Sequence, residues 1–252
     1  MWTPQLFTNP DSTYENLISG KIPAIIIPDV ISKLHCEKIC NKILTTQHMT
    51  SSPGISNKIG TSISSHIYEK SKYFSNAQKS NQKIQNIFSD VQSPLYLMQK
   101  TITDIFQKQI STATENSMSY SNAVIRIHQD RDSVHLHRDN SNFEMPEYSI
   151  SHFENQLSAI LYLQSPKKGG DLTIYQKIWH KEDEKLRQPE FGYSSEIVNN
   201  VQQTRILPIS GTMVIINPKF YHQIESVSGV KQRISLGFFF GELSKSQLYS
   251  WA

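Results

Sequence analysis

The segment Ala123-Val124-Ile125-Arg126-Ile127-His128 marks the point at which the chain changes from a helical hydrophobic period to the alternation of a strand. Alternating apolar side chains are typical of a strand that is buried on one face. Seven more strand-like segments follow between turn residues, at 134–137, 157–163, 171–175, 204–207, 211–216, 221–224 and 232–238. Short strands at this spacing predict a β-sandwich or jelly roll.

The chain before residue 119 is predicted to be mostly helical. A β-branched segment at 21–28 predicts a strand, after which Ser32 is the expected N-cap of an amphipathic helix. The polar segment 48–81 predicts a long surface loop, which we expect to contact substrate. Two helical segments follow, divided near Pro94, and the second has a single packing face: Leu95, Met98, Ile102, Ile105 and Phe106.

The order of these elements, helices first and strands later, indicates an α+β fold in which the N-terminal helices pack on one sheet. We expect the 252 residues to form a single domain, 1–252. In it, 1–118 supports the strand region 119–241, which contains an irregular insert at 177–203. Aromatic residues make up 10% of the chain, which is typical of a folded protein rather than a disordered one.

The charge and the apolar content of the chain indicate whether a nucleic-acid or a membrane partner is expected. The net charge is +3 and the Lys and Arg residues are scattered, so we expect no nucleic-acid partner. No apolar run approaches the roughly 20 residues that span a bilayer. The N-terminus lacks a basic segment followed by an apolar one, so no signal peptide is expected. These features predict a cytoplasmic protein without a membrane partner, and they leave its oligomeric state open.

His137 and Asp139 form the sharpest chemical signal in the chain. Residues two apart on a strand share a face, so an imidazole nitrogen and a carboxylate oxygen are presented together. The third ligand is predicted to be His222, at the start of a later strand. Two histidines and one carboxylate form the facial triad of non-haem Fe(II) sites, which leaves three coordination positions open.

Arg233 lies on the next predicted strand, and Ser235 shares its strand face. A guanidinium fork and a hydroxyl are the groups that hold the far end of a dicarboxylate in a buried pocket. The apolar neighbours of Arg233 favour this interpretation over a surface ion pair.

Taken in order, these motifs resemble those of the iron(II)/2-oxoglutarate-dependent oxygenase superfamily, and their spacing is similar to its prolyl-4-hydroxylase-like branch. The motifs are His137-Arg138-Asp139, Gly170-Asp171-Leu172, His222 and Arg233-Ile234-Ser235. They cover residues 120–241, roughly half of the chain. The resemblance implies a double-stranded β-helix, or jelly-roll, core. It also implies Fe(II) and 2-oxoglutarate as cofactors and O2 as cosubstrate, with ascorbate as an aid in vitro.

Residues 172–179 are in addition similar to free-standing members that act on small molecules, which include aliphatic halogenases and their hydroxylase relatives. In the halogenases a small residue replaces the acidic ligand and opens a site for chloride. Retention of Asp139 therefore implies a hydroxylase. The implied reaction oxidises 2-oxoglutarate to succinate and CO2 and hydroxylates an unactivated C–H bond of an amino acid or a specialised metabolite.

Five other residues are candidates for binding roles. Tyr162 is either a hydrogen-bond donor to the cosubstrate or a core tyrosine. Arg126 is either a clamp for a substrate carboxylate or part of a structural ion pair. His135 is a candidate substrate-binding residue; a core or supporting role is the alternative, and both are favoured over a competing ligand. Trp179 and Tyr193, both in the insert, either cover the substrate or pack the insert down.

The sequence disfavours some alternatives to small-molecule hydroxylation and leaves others open. The nucleic-acid demethylase branch usually has a second Arg shortly after the first, and residues 234–240 contain none. Peptidyl-proline hydroxylation stays open because the core motif does not encode the substrate. Desaturation and cyclisation stay open because they begin with the same hydrogen abstraction. A non-catalytic jelly-roll binding module is disfavoured by the retention of every motif residue.

Overall fold

The computed structural model describes residues 2–7, 13–46, 50–52, 55–244 and 247–252. Its α-helices, in chain order, are α1 (Thr13–Ile18), α2 (Lys33–Thr45), α3 (Lys70–Ile87), α4 (Pro94–Phe106) and α5 (Ser141–Glu144). Short 3-10 helices lie at Ile63–Ser65, Ser149–His152, Lys181–Leu186 and Ser195–Val198.

The strands, in chain order, are β1 (Gln5–Leu6), β2 (Ala24–Ile27), β3 (Thr50–Ser52), β4 (Ile55–Ile59), β5 (Gln109–Thr112), β6 (Thr114–Glu115), β7 (Met118–Ser119), β8 (Val124–His128), β9 (Val134–His137), β10 (Glu154–Gln164), β11 (Lys168–Gly169), β12 (Leu172–Ile178), β13 (Gln203–Ile206), β14 (Met213–Ile216), β15 (Phe220–Ile224), β16 (Val227–Ser228), β17 (Arg233–Ser244) and β18 (Gln247–Trp251). Most of these strands belong to two sheets.

The larger sheet is built around β10, which pairs antiparallel with β14 on one side and β17 on the other. The strand order is β1-β2-β14-β10-β17-β8-β4-β3, with β18 attached to β17 and β5 to β18. Side chains alternate along β10, so that Leu157, Ala159 and Leu161 share one face. Ile160 and Tyr162 share the opposite face.

The first of these faces is covered by helices. One apolar cluster joins Leu157 and Leu161 of β10 to Ile39 of α2 and to Met98 and Ile102 of α4. The Ser32 hydroxyl accepts a hydrogen bond from the backbone N–H of His35 (3.2 Å), which confirms the predicted N-cap of α2. The N-terminal helices therefore pack on one sheet, as the sequence predicts.

The smaller sheet has the strand order β13-β12-β15-β9 and packs against the other face of the larger sheet. A second apolar cluster joins Leu172, Ile174 and Phe220 of the smaller sheet to Tyr162 and Val214 of the larger one. β15 contributes both Phe220 of this cluster and His222, a predicted metal ligand. The predicted metal site therefore lies beside the cluster.

All eight strands predicted after residue 119 are confirmed, with their ends displaced by a few residues, and β18 follows them unpredicted. The loop predicted at 48–81 is wrong for much of its length, because it contains β4 and most of α3. Its few apolar side chains, such as Tyr73 and Ala77, lie on the buried face of α3 among many polar residues, which obscured the helical period. Residues 48, 49, 53 and 54 of this segment lie outside the described residues.

The N-terminal region is also less exclusively helical than predicted, since β1–β7 lie in it and β4 extends the larger sheet. None of the helices in the described part of the chain combines enough length with enough apolar sequence to cross a membrane.

The packing of α4 on the larger sheet can be tested by its contribution to the free energy of unfolding. Met98 is fully buried in the helix–sheet cluster, whereas Tyr96 on the same helix is exposed. We expect Met98→Ala to lower the free energy of unfolding by about 2–5 kcal/mol, because it leaves a cavity. Tyr96→Ala, the matched control, should change it by less than about 0.5 kcal/mol. Urea unfolding measures both, and equal effects would contradict this packing.

Candidate metal centre

Antiparallel pairing of β9 and β15 brings the two predicted histidine ligands together. His137 is the last residue of β9 and is directly paired with His222 of β15. Asp139 follows two residues later, and its backbone N–H donates to the carbonyl of Pro218 (2.9 Å), in the turn that precedes β15. One inter-strand register therefore positions all three side chains.

The three side chains converge on one point. The Asp139 Oδ2 atom lies 3.4 Å from Nε2 of His222 and 3.9 Å from Nε2 of His137. One ligand atom from each of the three residues lies within 4.8 Å of the other two. In the described part of the chain this is the one group of three or more His, Cys, Asp or Glu side chains with such spacing.

Backbone hydrogen bonds orient both imidazole rings. Nδ1 of His137 lies 2.8 Å from the carbonyl oxygen of His135, and Nδ1 of His222 lies 2.9 Å from that of Phe220. A carbonyl oxygen only accepts, so each Nδ1 must carry the proton and donate. In a neutral ring this leaves the Nε2 lone pair free and directed to the centre, as a metal ligand requires.

The environment also favours the protonation states that metal ligation needs. Burial, and then the charge of His222, lower the pKa of His137 to about 4. Burial acts to raise the pKa of Asp139, but its interactions with the His222 and His137 rings outweigh this effect and keep the pKa below its usual value. At neutral pH, His137 is therefore neutral and Asp139 is a carboxylate.

Arg233 lies in a second polar region between the sheets and is only 1% exposed. Its Nε donates to the carbonyl of Gly170 (2.9 Å), its Nη1 donates to the Ser235 hydroxyl (3.2 Å), and its guanidinium lies over the Tyr162 ring at 5.0 Å. Asp171 is ion-paired with Arg205 instead. No carboxylate of the described residues pairs with Arg233, so its buried guanidinium has no counter-ion among them.

Gly170 allows the Arg233 side chain to pack closely against the backbone of the Gly169-Gly170 turn. Its φ is +72°, a conformation that favours glycine, and a Cβ atom there would lie 2.9 Å from Cδ of Arg233. The Gly169-Gly170 turn therefore serves two purposes: it connects β11 to β12 and it leaves room for the stem of Arg233.

His128 belongs to the same polar region, although it was not predicted. It lies directly opposite Arg233 in the β8–β17 pairing, with its Nδ1 3.4 Å from Nη1 of Arg233. Arginine only donates, so Nδ1 accepts and the proton of the neutral ring is on Nε2. Burial, and then the charge of Arg233, lower the pKa of His128 to about 2, which keeps the ring neutral.

Two buried donors of this region lack partners. Nε2 of His128 and the hydroxyl of Tyr162 have no hydrogen-bond partner of acceptable geometry among the described residues. Buried polar groups are normally satisfied, so such groups indicate a ligand. His128 is two residues after Arg126 on β8, and this strand alternation was the sequence signal that could have identified it.

The remaining predicted residues are Arg126, His135, Trp179 and Tyr193. Arg126 is on the face of β8 that carries His128; burial lowers its pKa, and the charge of Asp139 opposes that shift. The side chain of His135 is exposed, and its carbonyl is what holds His137. Trp179 and Tyr193 are not brought together with the triad: both donate to Glu184 Oε1, at 2.6 and 2.7 Å.

The insert nevertheless reaches the centre at one unpredicted residue. The Phe191 ring lies 5.1 Å from the ring of His137. The next residues fix this contact, because the Tyr193 N–H donates to the carbonyl of Leu136 (2.8 Å) and a Cβ at Gly192 would lie 2.4 Å from that oxygen. The insert is thus closely apposed to the edge strand β9.

Known proteins resemble this chain in sequence. Leucinostatins biosynthesis cluster protein S of Purpureocillium lilacinum is 25% identical over 140 residues, 53% of this chain and 56% of that protein. L-gamma-glutamyl-L-propargylglycine hydroxylase of Streptantibioticus cattleyicolor is 26% identical over 125 residues, 48% of this chain and 45% of that protein. The chain therefore spans about half the length of the curated relatives it matches.

A solved structure resembles it in fold. The N-substituted L-amino acid dioxygenase of Burkholderia ambifaria superposes with a TM-score of 0.68 at 14% identity, over 96% of this chain and 91% of that one. A structure of that enzyme has also been solved in complex with α-ketoglutarate (2-oxoglutarate).

Sequence comparison with protein families gives a match over residues 3–252 to the family described as carrier-protein-independent halogenase WelO5. The match extends over nearly the whole chain, and the resemblance inferred from the motifs is confirmed. The chain belongs to the WelO5 family, within the iron(II)/2-oxoglutarate-dependent oxygenase superfamily.

Proposed function

We propose that this protein is an Fe(II)- and 2-oxoglutarate-dependent dioxygenase that hydroxylates an unactivated C–H bond of a small molecule, either an amino acid or a specialised metabolite. The observation that carries the proposal is the convergence of His137 Nε2, Asp139 Oδ2 and His222 Nε2 on one point. We further propose that β8, β9, β10, β12, β13, β14, β15 and β17 form a double-stranded β-helix, that 1–252 is one domain, and that the protein is cytoplasmic.

The donor set fits iron. Two imidazoles with free Nε2 atoms and one carboxylate are the protein ligands of Fe(II) oxygenases, and they leave three coordination positions for other molecules. His137, Asp139 and His222 would hold the metal. When bound, the iron supplies the activation of O2 that side chains cannot supply, coupled to conversion of 2-oxoglutarate to succinate and CO2.

The region around Arg233 fits the far carboxylate of 2-oxoglutarate. The guanidinium is buried and has no counter-ion among the described residues, which is costly until an anion is bound. Ser235 and Tyr162 supply hydroxyl groups beside it, and His128 supplies an N–H that has no partner in the described part of the chain. These groups would satisfy a carboxylate, bind the cosubstrate in one orientation and exclude water from its far end.

On the substrate side we propose Arg126 as the group that faces a substrate carboxylate. Its support is the shared face of β8 with His128 and its electrostatic interaction with Asp139. Two similar proteins are named for action on amino acid derivatives. For Trp179 and Tyr193 the contacts with Glu184 favour packing of the insert over a direct substrate contact. For His135 the hydrogen bond between its carbonyl and Nδ1 of His137 favours a role in supporting His137.

Asp139 distinguishes hydroxylation from the halogenation for which the family is named. A carboxylate at this position occupies the coordination site that a halogenase, by the stated resemblance, leaves to chloride. Halogenation is therefore the second candidate, favoured by the family match and opposed by this residue. Desaturation and cyclisation are further outcomes of the same hydrogen abstraction.

Removal of one ligand tests the metal centre. Anaerobic protein with Fe(II) and 2-oxoglutarate should show a weak visible charge-transfer band. We expect His222→Ala to abolish this band, because even a supporting residue of a metal site is worth about 10–100-fold in affinity and a ligand is worth more. His152→Ala, an exposed histidine, is the control. A full-strength band in His222→Ala would exclude His222 as a ligand.

Removal of the buried cation tests the cosubstrate site. Arg233→Leu should raise the apparent Kd for 2-oxoglutarate at least about 30-fold, because truncating one partner of a buried charge pair costs about 2–5 kcal/mol. Arg131→Leu, at a 93% exposed side chain, should leave it unchanged. Anaerobic titration followed by the same band measures both variants, and an unchanged Kd in Arg233→Leu would move the carboxylate site elsewhere.

Isotope labelling of the product tests the reaction type. A succinate-release screen of amino acids and metabolite extracts first identifies a substrate. Because Asp139 fills the chloride position, we expect a product heavier by one oxygen atom that derives from ¹⁸O₂, with no requirement for chloride. Mass spectrometry with and without chloride distinguishes the alternatives. A chlorinated product would contradict the role of Asp139, and a product lighter by two hydrogens would indicate desaturation or cyclisation.

A further inference from the structure

Lys58 is a buried cation that the proposed chemistry does not use. It lies on β4, is only 8% exposed, and is directly paired with Arg126 of the neighbouring strand β8. Its Nζ donates to the Ser65 hydroxyl (3.1 Å). In the described residues no carboxylate forms an ion pair with it, so one neutral oxygen serves an ammonium group that has three donors.

Arg126, like Lys58, lacks an ion-pair partner among the described residues. It makes no hydrogen bond or ion pair with any of the described residues, and its guanidinium extends over Gly237 of β17. A Cβ atom at Gly237 would lie 3.3 Å from Nη1 of Arg126, so the glycine leaves room for this orientation. Lys58 and Arg126 are therefore two adjacent cations, both partly or fully removed from water.

Such a pair is electrostatically unfavourable by itself. Burial, and then the charge of Arg126, lower the pKa of Lys58 to about 8. Of the nearby carboxylates, Asp139 interacts with Arg126, but its oxygen is directed at the two histidines. Buried charges normally have partners, so the arrangement indicates an anion that binds from outside.

Strand spacing separates this anion from the cosubstrate. Arg126 is paired with Lys58 on one side and with Ser235, in the Arg233 region, on the other. Adjacent strands lie about 4.8 Å apart, so Lys58 and Ser235 are about 10 Å apart across the sheet. Lys58 and the Arg233 region therefore lie on opposite sides of Arg126. The 2-oxoglutarate carboxylate at Arg233 therefore leaves Lys58 for a different molecule.

We propose that Lys58, together with Arg126, binds a carboxylate of the primary substrate, and that the substrate is accordingly an amino-acid-type acid. This inference rests on the proposed function, because it assumes that the triad and the Arg233 region hold iron and 2-oxoglutarate. It adds a second cation from the N-terminal region, and it makes β4 a determinant of specificity. Arg233 selects the cosubstrate, and the Lys58–Arg126 pair selects the substrate.

The probes are free and N-acyl L-amino acids that each carry a single carboxylate, together with the matching primary carboxamides. Succinate release is measured with each compound, and binding of the acids and amides is measured by calorimetry on anaerobic protein. The variants are Lys58→Met, which keeps the apolar stem, Lys58→Arg, which keeps the charge, and Lys79→Met, an exposed control on α3.

We expect the unaltered protein to accept an acid and to reject its amide. Lys58→Met should raise KM and Kd for that acid about 10–100-fold, which is what a lost charged hydrogen bond costs. Its kcat and its 2-oxoglutarate requirement should change little, and Lys58→Arg should recover most of the affinity. Lys79→Met should behave as the unaltered protein does. The comparison of acid with amide needs no variant, so misfolding of Lys58→Met would not prevent the test.

Three kinds of result, the first with two forms, would overturn the inference. The first is an amide that is accepted as well as its acid, or a panel in which no acid raises succinate release above the uncoupled rate. The second is unchanged affinity for the acid in folded Lys58→Met. The third is a raised 2-oxoglutarate requirement in that variant, which would assign Lys58 to the cosubstrate. In each case an intact charge-transfer band shows that the proposed function stands, whereas loss of the band in the unaltered protein means that both fail.

Discussion

The pairing of β9 with β15 is the constraint on which the site depends. It sets His137 opposite His222, and the carbonyls of His135 and Phe220, on the same two strands, fix the orientation of both rings. A shift of the register by one residue would turn one imidazole to the other side of the sheet, because side chains alternate along a strand. β15 is held in place by its second neighbour, β12, which pairs Ile174 with His222.

The larger sheet contributes charge rather than metal ligands. Lys58, Arg126 and Arg233 lie on the three adjacent strands β4, β8 and β17, and each lacks an ion-pair partner among the described residues. Asp139 is the carboxylate that interacts with Arg126 at the centre. A cationic interior of this kind is unfavourable when empty and is relieved by anionic ligands. Binding of a dicarboxylate cosubstrate and an acidic substrate would supply them, so affinity and specificity would have the same electrostatic origin.

The sequence allows part of this arrangement to be predicted. Short-range rules suffice for His137 and Asp139, which are two residues apart, and for the strands after residue 119, which alternate clearly. They do not suffice for Lys58, since the segment around it is dominated by Ser, Asn and Lys and its partner strand is far along the chain. Nor do they give the tautomer of His128, which depends on Arg233 across a strand pair. Register between distant strands is the information that sequence patterns lack.

Anaerobic diffraction from crystals grown with Mn(II), a redox-inert substitute for Fe(II), and 2-oxoglutarate measures the central claim most directly. We predict one anomalous peak bound by Nε2 of His137, a carboxylate oxygen of Asp139 and Nε2 of His222. The far carboxylate of 2-oxoglutarate should contact the guanidinium of Arg233. A metal bound by other residues, or a cosubstrate that leaves Arg233 without a counter-ion, would contradict the proposed centre.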